Sequence, residues 1–264
     1  MRSTPPVGIT RIRLLDDLFV VRADGTPVHP ADWRTGKTMD LLRMLALHVE
    51  RPVRVETIIE RLWPDASRER GRGSLRTAVS EVRRQLGDKE SVVRIHDSLV
   101  LTGVWVDVAA FEQVAGRVRA MREQARPSEG AMAAMDARDL YRDDLHAYDD
   151  DADWVRAERE RLRLLRQDLL TDAAECAVAI GCHREAATLA KSALHFEPTS
   201  EIAVRTLMTA LSELGDVARA LRVYADFRAC LVDDLGVEPS HQTRGLHLRL
   251  LRGESPAQVG LQQA

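Results

Sequence analysis

A 34-residue period in the C-terminal third of this 264-residue chain constrains its fold more than any other feature. Gly181 and Gly215 stand 34 apart, as do Ala173 and Leu207, Ala177 and Leu211, Ile180 and Leu214, and Ala186 and Ala220. Small or apolar residues return at the same phase, which is the mark of a repeated structural unit. A unit of this length is a pair of antiparallel helices. One pair cannot bury its apolar face alone, so successive pairs must stack on each other.

Ala193 and Pro198 fall where a tetratricopeptide repeat places its second-helix alanine and closing proline, and Tyr224 and Phe227 fill the packing positions of the next repeat. Helical spacing extends back to about Val106. "DVAAFEQVAGRVRAM" reads as a helix, "RPSEG" as a turn and "AMAAMDARDLYRDDL" as another helix. "DADWVRAERERLRLLRQDLLTDAAECAVAIG" reads as one long helix or two end to end. An all-α, tetratricopeptide-like domain is expected over residues 106–252. Such an array either offers a surface to other proteins or serves as a packing or dimerisation scaffold. Residues 253–264, "GESPAQVGLQQA", are expected to be a disordered tail.

The first part of the chain is different. Residues 1–103 carry 18 Lys and Arg against 14 Asp and Glu, whereas residues 104–264 carry 20 against 27. A basic part beside an acidic one points to nucleic acid on the N-terminal side only. Residues 9–31 read as short strands, with Asp24-Gly25 as a hairpin signal. A first helix runs from after Trp33 to about Glu50, with Leu41, Leu42, Leu45 and Val49 at helical spacing. A second runs from Val55 to Trp63 and is ended by Pro64.

"RERGRGSLRTAVSEVRRQLG", Arg68 to Gly87, is the third. Leu75, Val79, Val82 and Leu86 form one stripe that must pack inward. Thr77, Ser80 and Arg84 lie opposite it, and Arg72, Arg76 and Arg83 form a flanking row. A short Arg-lined amphipathic helix closing a three-helix set fits a major groove; it also fits an ordinary solvated basic face. "SVVRIHDSLVL" alternates as a β-hairpin with Asp97-Ser98 at its turn, putting Arg94, His96 and Ser98 within reach of phosphates. The expected fold is thus mainly α with a small β component: a winged helix-turn-helix over residues 1–105, then the all-α domain.

"WRTGKT", residues 33–38, carries the end of a nucleotide-binding loop, but Ala31 stands where that loop needs its first glycine. Two other readings are a helix start capped by Thr35 or Thr38, and Lys37 on a nucleic-acid phosphate. The three cysteines form no C-x-x-C, and the eight histidines form no metal-ligand spacing. Neither a nucleophile–base set nor a G-x-S-x-G appears, so no enzyme, metal or cofactor is expected. No apolar run is long enough to span a bilayer and no signal peptide is evident, so a cytoplasmic protein without membrane contact is expected.

In combination these stretches resemble the small SARP regulators (Streptomyces antibiotic regulatory proteins), in which an OmpR-type winged helix precedes a bacterial transcriptional activator domain. "RPVRVETIIERLWPD", "SLRTAVSEVRRQLG" and "VWVDVAAFEQV" resemble the first domain and its junction. The long stretch from "ALHFEPTSEIAVRTL" to "DDLGVEPS" resembles the second. The resemblance covers about residues 9–252. It implies a transcriptional activator, commonly of secondary-metabolite (antibiotic) biosynthesis genes, that binds direct repeats in double-stranded DNA, self-associates there and recruits RNA polymerase holoenzyme. By position it implies a recognition helix bearing Arg72, Arg76, Thr77, Ser80, Arg83 and Arg84, and a basic helix start at Lys37. The family often has Arg where this chain has Met39 and Glu81, and a Gly-Tyr-Arg-Leu-like wing strand where it has "DSLVL". Those departures imply fewer phosphate contacts. No further module, such as the ATPase or phosphopeptide-binding domains of larger members, is expected. The competing expectation from the residues is an interaction scaffold whose winged helix docks a protein instead of DNA.

Overall fold

The computed structural model describes residues 7–137, 140–141, 143–148 and 152–254. By contact the chain forms two compact units, Met1–Val114 with Asp136–Leu162, and Ala115–Met135 with Arg163–Ala264. This is a division by contact, whereas the boundary read at residue 105 is one of chain continuity.

The first unit opens with strands β1 (Thr10–Arg13), β2 (Phe19–Val21) and β3 (Pro27–Val28). The Asp24-Gly25 turn joins the last two: Arg22 N–H donates to the Thr26 carbonyl and Gly25 N–H to the Arg22 carbonyl, both at 2.9 Å. A single 3-10 turn, Pro30–Asp32, leads to helix α1 (Gly36–Ala46). Strand β4 (Val53–Arg54) then precedes α2 (Val55–Leu62) and α3 (Arg68–Leu86). Strands β5 (Val92–Ile95), β6 (Ser98–Leu101) and β7 (Val104–Val106) follow. Two sheets result, ordered β3-β2-β1-β7 and β4-β6-β5, with β7 parallel to β1. Leu41, Leu42, Leu45, Ile58, Leu62, Val82 and Leu86 are buried as the core beneath them.

Two expectations need correction in this unit. Helix α1 ends at Ala46, not near Glu50, because Glu50 turns to φ 61° and donates its N–H to the Leu101 carbonyl at 2.9 Å. The wing turn is His96-Asp97, one residue earlier than read: Ile95 pairs with Ser98, and His96 takes φ 52°. The pairing of β6 with both β4 and β5 fixes that register.

Helix α4 (Asp107–Glu123) follows β7, then α5 (Pro127–Ala137) and α6 (Asp153–Ala179). Proline suits a first helical position because that N–H needs no helical partner, so "RPSEG" starts α5 instead of forming the expected turn. The helix expected over 131–145 stops at Ala137: Leu140, Tyr141 and residues 143–145 are not helical, and Leu145 forms a bridge with Leu15, while residues 138, 139 and 142 lie outside the described residues. The long helix α6 is single. In the second unit α4 is tied to α6 by Arg119–Asp168 at 2.6 Å, Arg122–Asp172 at 2.9 Å and Arg122–Glu175 at 2.8 Å.

Helices α7 (His183–Phe196), α8 (Glu201–Glu213), α9 (Val217–Leu235) and α10 (His241–Leu251) complete the array. The 34-residue period reappears as burial. Ala173 and Leu207, Ala177 and Leu211, and Ala186 and Ala220 are all buried, while Ile180 and Leu214 are both exposed. Gly181 and Gly215 both close a helix at left-handed φ, 76° and 81°. Gly253 and Glu254 follow α10, and the rest of the expected tail, residues 255–264, lies outside the described residues. No helix among the described residues is long and apolar enough to cross a membrane.

Candidate nucleic-acid interface

The candidate interface is built on α3. Helices α2 and α3 approach closely enough that a Cβ at Gly71 would come within 2.5 Å of Ile59 Cγ2, so only glycine fits there. Leu75, Ala78, Val82 and Leu86 are buried and Val79 is half-buried, as the amphipathic stripe requires. Two polar residues, Glu81 and Gln85, are buried beside them, 5% and 1% exposed. Gln85 Nε2 donates to Glu81 Oε1 at 3.0 Å and to the Asp32 carbonyl, and Arg22 Nε donates to the Gln85 carbonyl at 2.7 Å. The C-terminal half of α3 is thereby fixed to the strands before α1.

This explains Glu81. Its carboxylate accepts two bonds from Arg84, Nε at 3.0 Å and Nη2 at 2.6 Å. Those bonds hold its pKa below the usual glutamate range against the opposing effect of burial. An arginine here would not reach outward to a phosphate without breaking this packing.

The basic residues of α3 divide into two kinds. Arg83 is half-buried and donates through Nε to the Val92 carbonyl at 3.0 Å, tying α3 to the wing strand β5. Arg84 is engaged with Glu81 yet leaves 61% of its side chain exposed. Arg72 and Arg76 are exposed, and their side chains make no hydrogen bond or ion pair with any described residue. Thr77 and Ser80 are exposed beside them, with Thr77 Oγ1 donating to the Gly73 carbonyl at 3.3 Å.

Arg76 and Ser80 stand on a ridge between two hollows. Arg34, Thr77, Glu81 and Arg84 complete the lining of one. The other, toward the wing, has Arg72, Arg83 and Arg94 at its rim and Val55, Leu75, Val79 and Leu99 among its walls. Arg94 is exposed, and its Nε donates to the His96 carbonyl at 3.1 Å, bracing the turn. His96 is exposed at the tip. Ser98 is a half-buried strand residue opposite Ile95 and Arg54, not a tip residue.

In "TGKT", Thr35 is the helix cap: its Oγ1 accepts the Thr38 N–H at 3.2 Å. A Cβ at Gly36 would overlap the ring of Tyr148, whose N–H donates to Asp40 Oδ1 at 3.0 Å. The residues before it form a 3-10 turn and no strand, so the phosphate-loop geometry is not formed. Lys37 is the second residue of α1, half-buried, and lines neither hollow. The sequence reading missed Arg34, which is exposed and shares a hollow with Arg76. Its only signal was its place three residues before Lys37. Also missed was Asp107, fully buried at the start of α4. It accepts the N–H groups of Leu14 at 2.9 Å, Leu15 at 3.0 Å and Val108 at 2.8 Å, yet burial pushes its pKa up to about 6.

Unpaired guanidinium groups on an exposed helix face are suited to phosphate neutralisation and to bidentate bonds with a guanine edge. Residues 106–251 match the bacterial transcriptional activator domain, and residues 33–98 match the C-terminal domain of transcriptional regulatory proteins. The regulatory protein AfsR of Streptomyces coelicolor is 29% identical over 255 residues, which cover 88% of this chain and 24% of AfsR. The regulatory protein DnrI of Streptomyces peucetius is 26% identical over 261 residues, covering 92% of this chain and 93% of DnrI. The transcriptional regulatory protein EmbR of Mycobacterium tuberculosis is 29% identical over 242 residues, covering 87% of this chain and 60% of EmbR. The structure of EmbR in complex with a low affinity phosphopeptide superposes with a TM-score of 0.80 at 24% identity, over 93% of this chain and 65% of that one, which shows the shared fold. The chain thus spans about a quarter of AfsR and somewhat under two thirds of EmbR. By name EmbR is a transcriptional regulatory protein, and AfsR and DnrI are regulatory proteins. This chain belongs to the SARP-type family, in which an OmpR-like winged helix is joined to the bacterial transcriptional activator domain.

Proposed function

We propose that this protein is a cytoplasmic, sequence-specific DNA-binding transcriptional activator. The observation that carries the reading is the pair Arg72 and Arg76, exposed on the outer face of α3 and unpaired among the described residues, beside a wing bearing Arg94 and His96. In this reading residues 1–105 bind DNA and residues 106–252 serve activation. Helix α3 enters the major groove with Arg72, Arg76, Thr77 and Ser80 toward base edges. Arg34, Lys37, Arg94 and His96 lie along the backbone, and Arg83, Arg84 and Ser98 hold the helix and wing in register. Family membership supports the finer features: protomers set head to tail on direct repeats, contact with RNA polymerase holoenzyme, and control of secondary-metabolite genes.

Capture of genomic DNA by the purified protein at low and moderate salt tests the proposal. A shared motif of two direct repeats upstream of biosynthetic genes is the expected result. Retention of no DNA even at low ionic strength would instead make the winged helix a protein-docking module, since the phosphate term is strongest there.

A further inference from the structure

The second unit carries a basic groove that the DNA reading does not use. Helices α6, α8 and α10 enclose a hollow of about 730 Å³. That volume is ordinary for a ligand site. Arg205, His241, Arg249 and Arg252 line it, against the single acid Glu175. Glu175 is already paired with Arg122 at 2.8 Å. Arg205 pairs with Glu201 at 3.5 Å and Arg252 reaches Glu254 at 4.0 Å, so Arg249 is the arginine of the lining left without an ion pair among the described residues, in a half of the chain that carries 27 acidic against 20 basic side chains.

Arg249 is the telling residue. Its Nε is buried without a hydrogen-bond partner, and its side chain makes no ion pair with any described residue. Leaving a charged donor desolvated and unpaired is costly, and an incoming carboxylate would satisfy it. Thr206, Thr209 and Gln242 add neutral hydrogen-bonding groups to the same walls. Ile202 and Leu248, also in the lining, are 42% and 50% exposed. A bare inorganic anion leaves such apolar walls wet. A nucleic acid strand would want a series of aromatic stacking platforms, and this groove has no Phe, Tyr or Trp in its lining and a single His.

We infer that the groove between α6, α8 and α10 binds an acidic peptide segment of a partner protein, its carboxylates on Arg249, Arg205 and Arg252 and an apolar side chain between Ile202 and Leu248. The site lies wholly within the second unit, so it holds or fails independently of DNA binding.

Fluorescence anisotropy of the full-length protein with a short fluorescein-labelled peptide of glutamate and leucine tests it, against a control in which glutamine replaces every glutamate. The acidic peptide should bind, more weakly as salt rises, and the glutamine peptide at least tenfold less tightly. Arg249→Glu should weaken binding at least tenfold and Arg249→Lys less. The exposed Arg252→Glu serves as a second variant if Arg249→Glu does not fold. Arg222→Glu, on α9 away from the groove, should stay within twofold. The inference is overturned by equal binding of both peptides, by folded Arg249→Glu and Arg252→Glu proteins that bind normally, by displacement of the peptide with an equal concentration of inorganic phosphate, or by loss of binding in Arg76→Glu, which would place the peptide on the DNA face.

Discussion

In α8 and α9 the buried positions are almost all apolar: Ala203, Val204, Leu207, Met208, Ala210, Leu211, Ala220, Tyr224, Phe227 and Leu231, with Thr206 among them. In α3 they are Leu75, Ala78, Val82 and Leu86, but also Glu81 and Gln85. The array is held by a ladder of small and large apolar groups that any repeat of the same period would supply. Helix α3 is held in part by side-chain hydrogen bonds to backbone outside it, at Asp32, more than 50 residues before, and at Val92 in the following strand. The first device tolerates variation in its exposed faces; the second fixes one helix at one angle, which a DNA-reading element needs. The two regions differ in what a substitution at a buried site removes.

The largest expected effect tests the array. Phe227→Ala should cost about 3 kcal/mol of unfolding free energy, since it removes a buried aromatic from a packed seam. Leu214→Ala, at an exposed position of the same period, should cost under about 1 kcal/mol. Equal costs in denaturant titrations would mean that burial does not follow the period.

The same comparison in α3 uses Glu81→Arg, which restores the residue the family often has. It should destabilise by about 2 kcal/mol, because Gln85 and Arg84 lose their acceptor and a new charge is buried. It should not tighten DNA binding. Tighter binding with unchanged stability would show that residue 81 faces the nucleic acid.

Arg76→Ala should leave stability within about 0.5 kcal/mol and weaken specific DNA binding by about 2 kcal/mol, more than non-specific binding. Competition between operator and random DNA reads the difference. Lys37→Ala should weaken both alike and lower the slope of log K against log salt by about 0.9. Equal losses for both variants on both DNAs would undo the division into base-reading and phosphate-holding residues.

Asp107 gives the smallest effect. Its folded pKa is raised from 3.8 to about 6, so between those values the folded state holds a proton that the unfolded state has released. Its contribution to stability is therefore greatest at low pH and is lost as pH rises through about 6. Relative to Asp107→Asn, the unchanged protein should gain about 1 kcal/mol on going from pH 7 to pH 5. A flat difference between the two would mean that the three backbone N–H groups outweigh burial.

Much of this fold is legible in the residues because period and punctuation are local. The stripe Leu75–Val82–Leu86, the Asp24-Gly25 turn and the stop at Gly87 each follow from residues within about three helical turns, and the 34-residue phase follows from the recurrence of one such local pattern. The slipped wing turn was not legible, since "RIHDSL" accommodates either register until β4 pairs with β6 from the other side. The start of α5 was missed because proline marks both turns and first helical positions.

The sequence by itself determined that this chain is a winged helix followed by a repeat array, and that α3 carries a row of arginines on its outer side. Only the tertiary structure decided which arginines remain available. Arg83 and Arg84 bond to Val92 and Glu81, Arg72 and Arg76 stay unpaired, and Arg34 joins them from another element. Helical periodicity assigns a residue to a face. Local spacing offers Arg84 the Glu81 carboxylate three residues before it, but the bonds that Arg84 and Gln85 make to the Asp32 carbonyl, more than 50 residues away, are encoded in no local pattern.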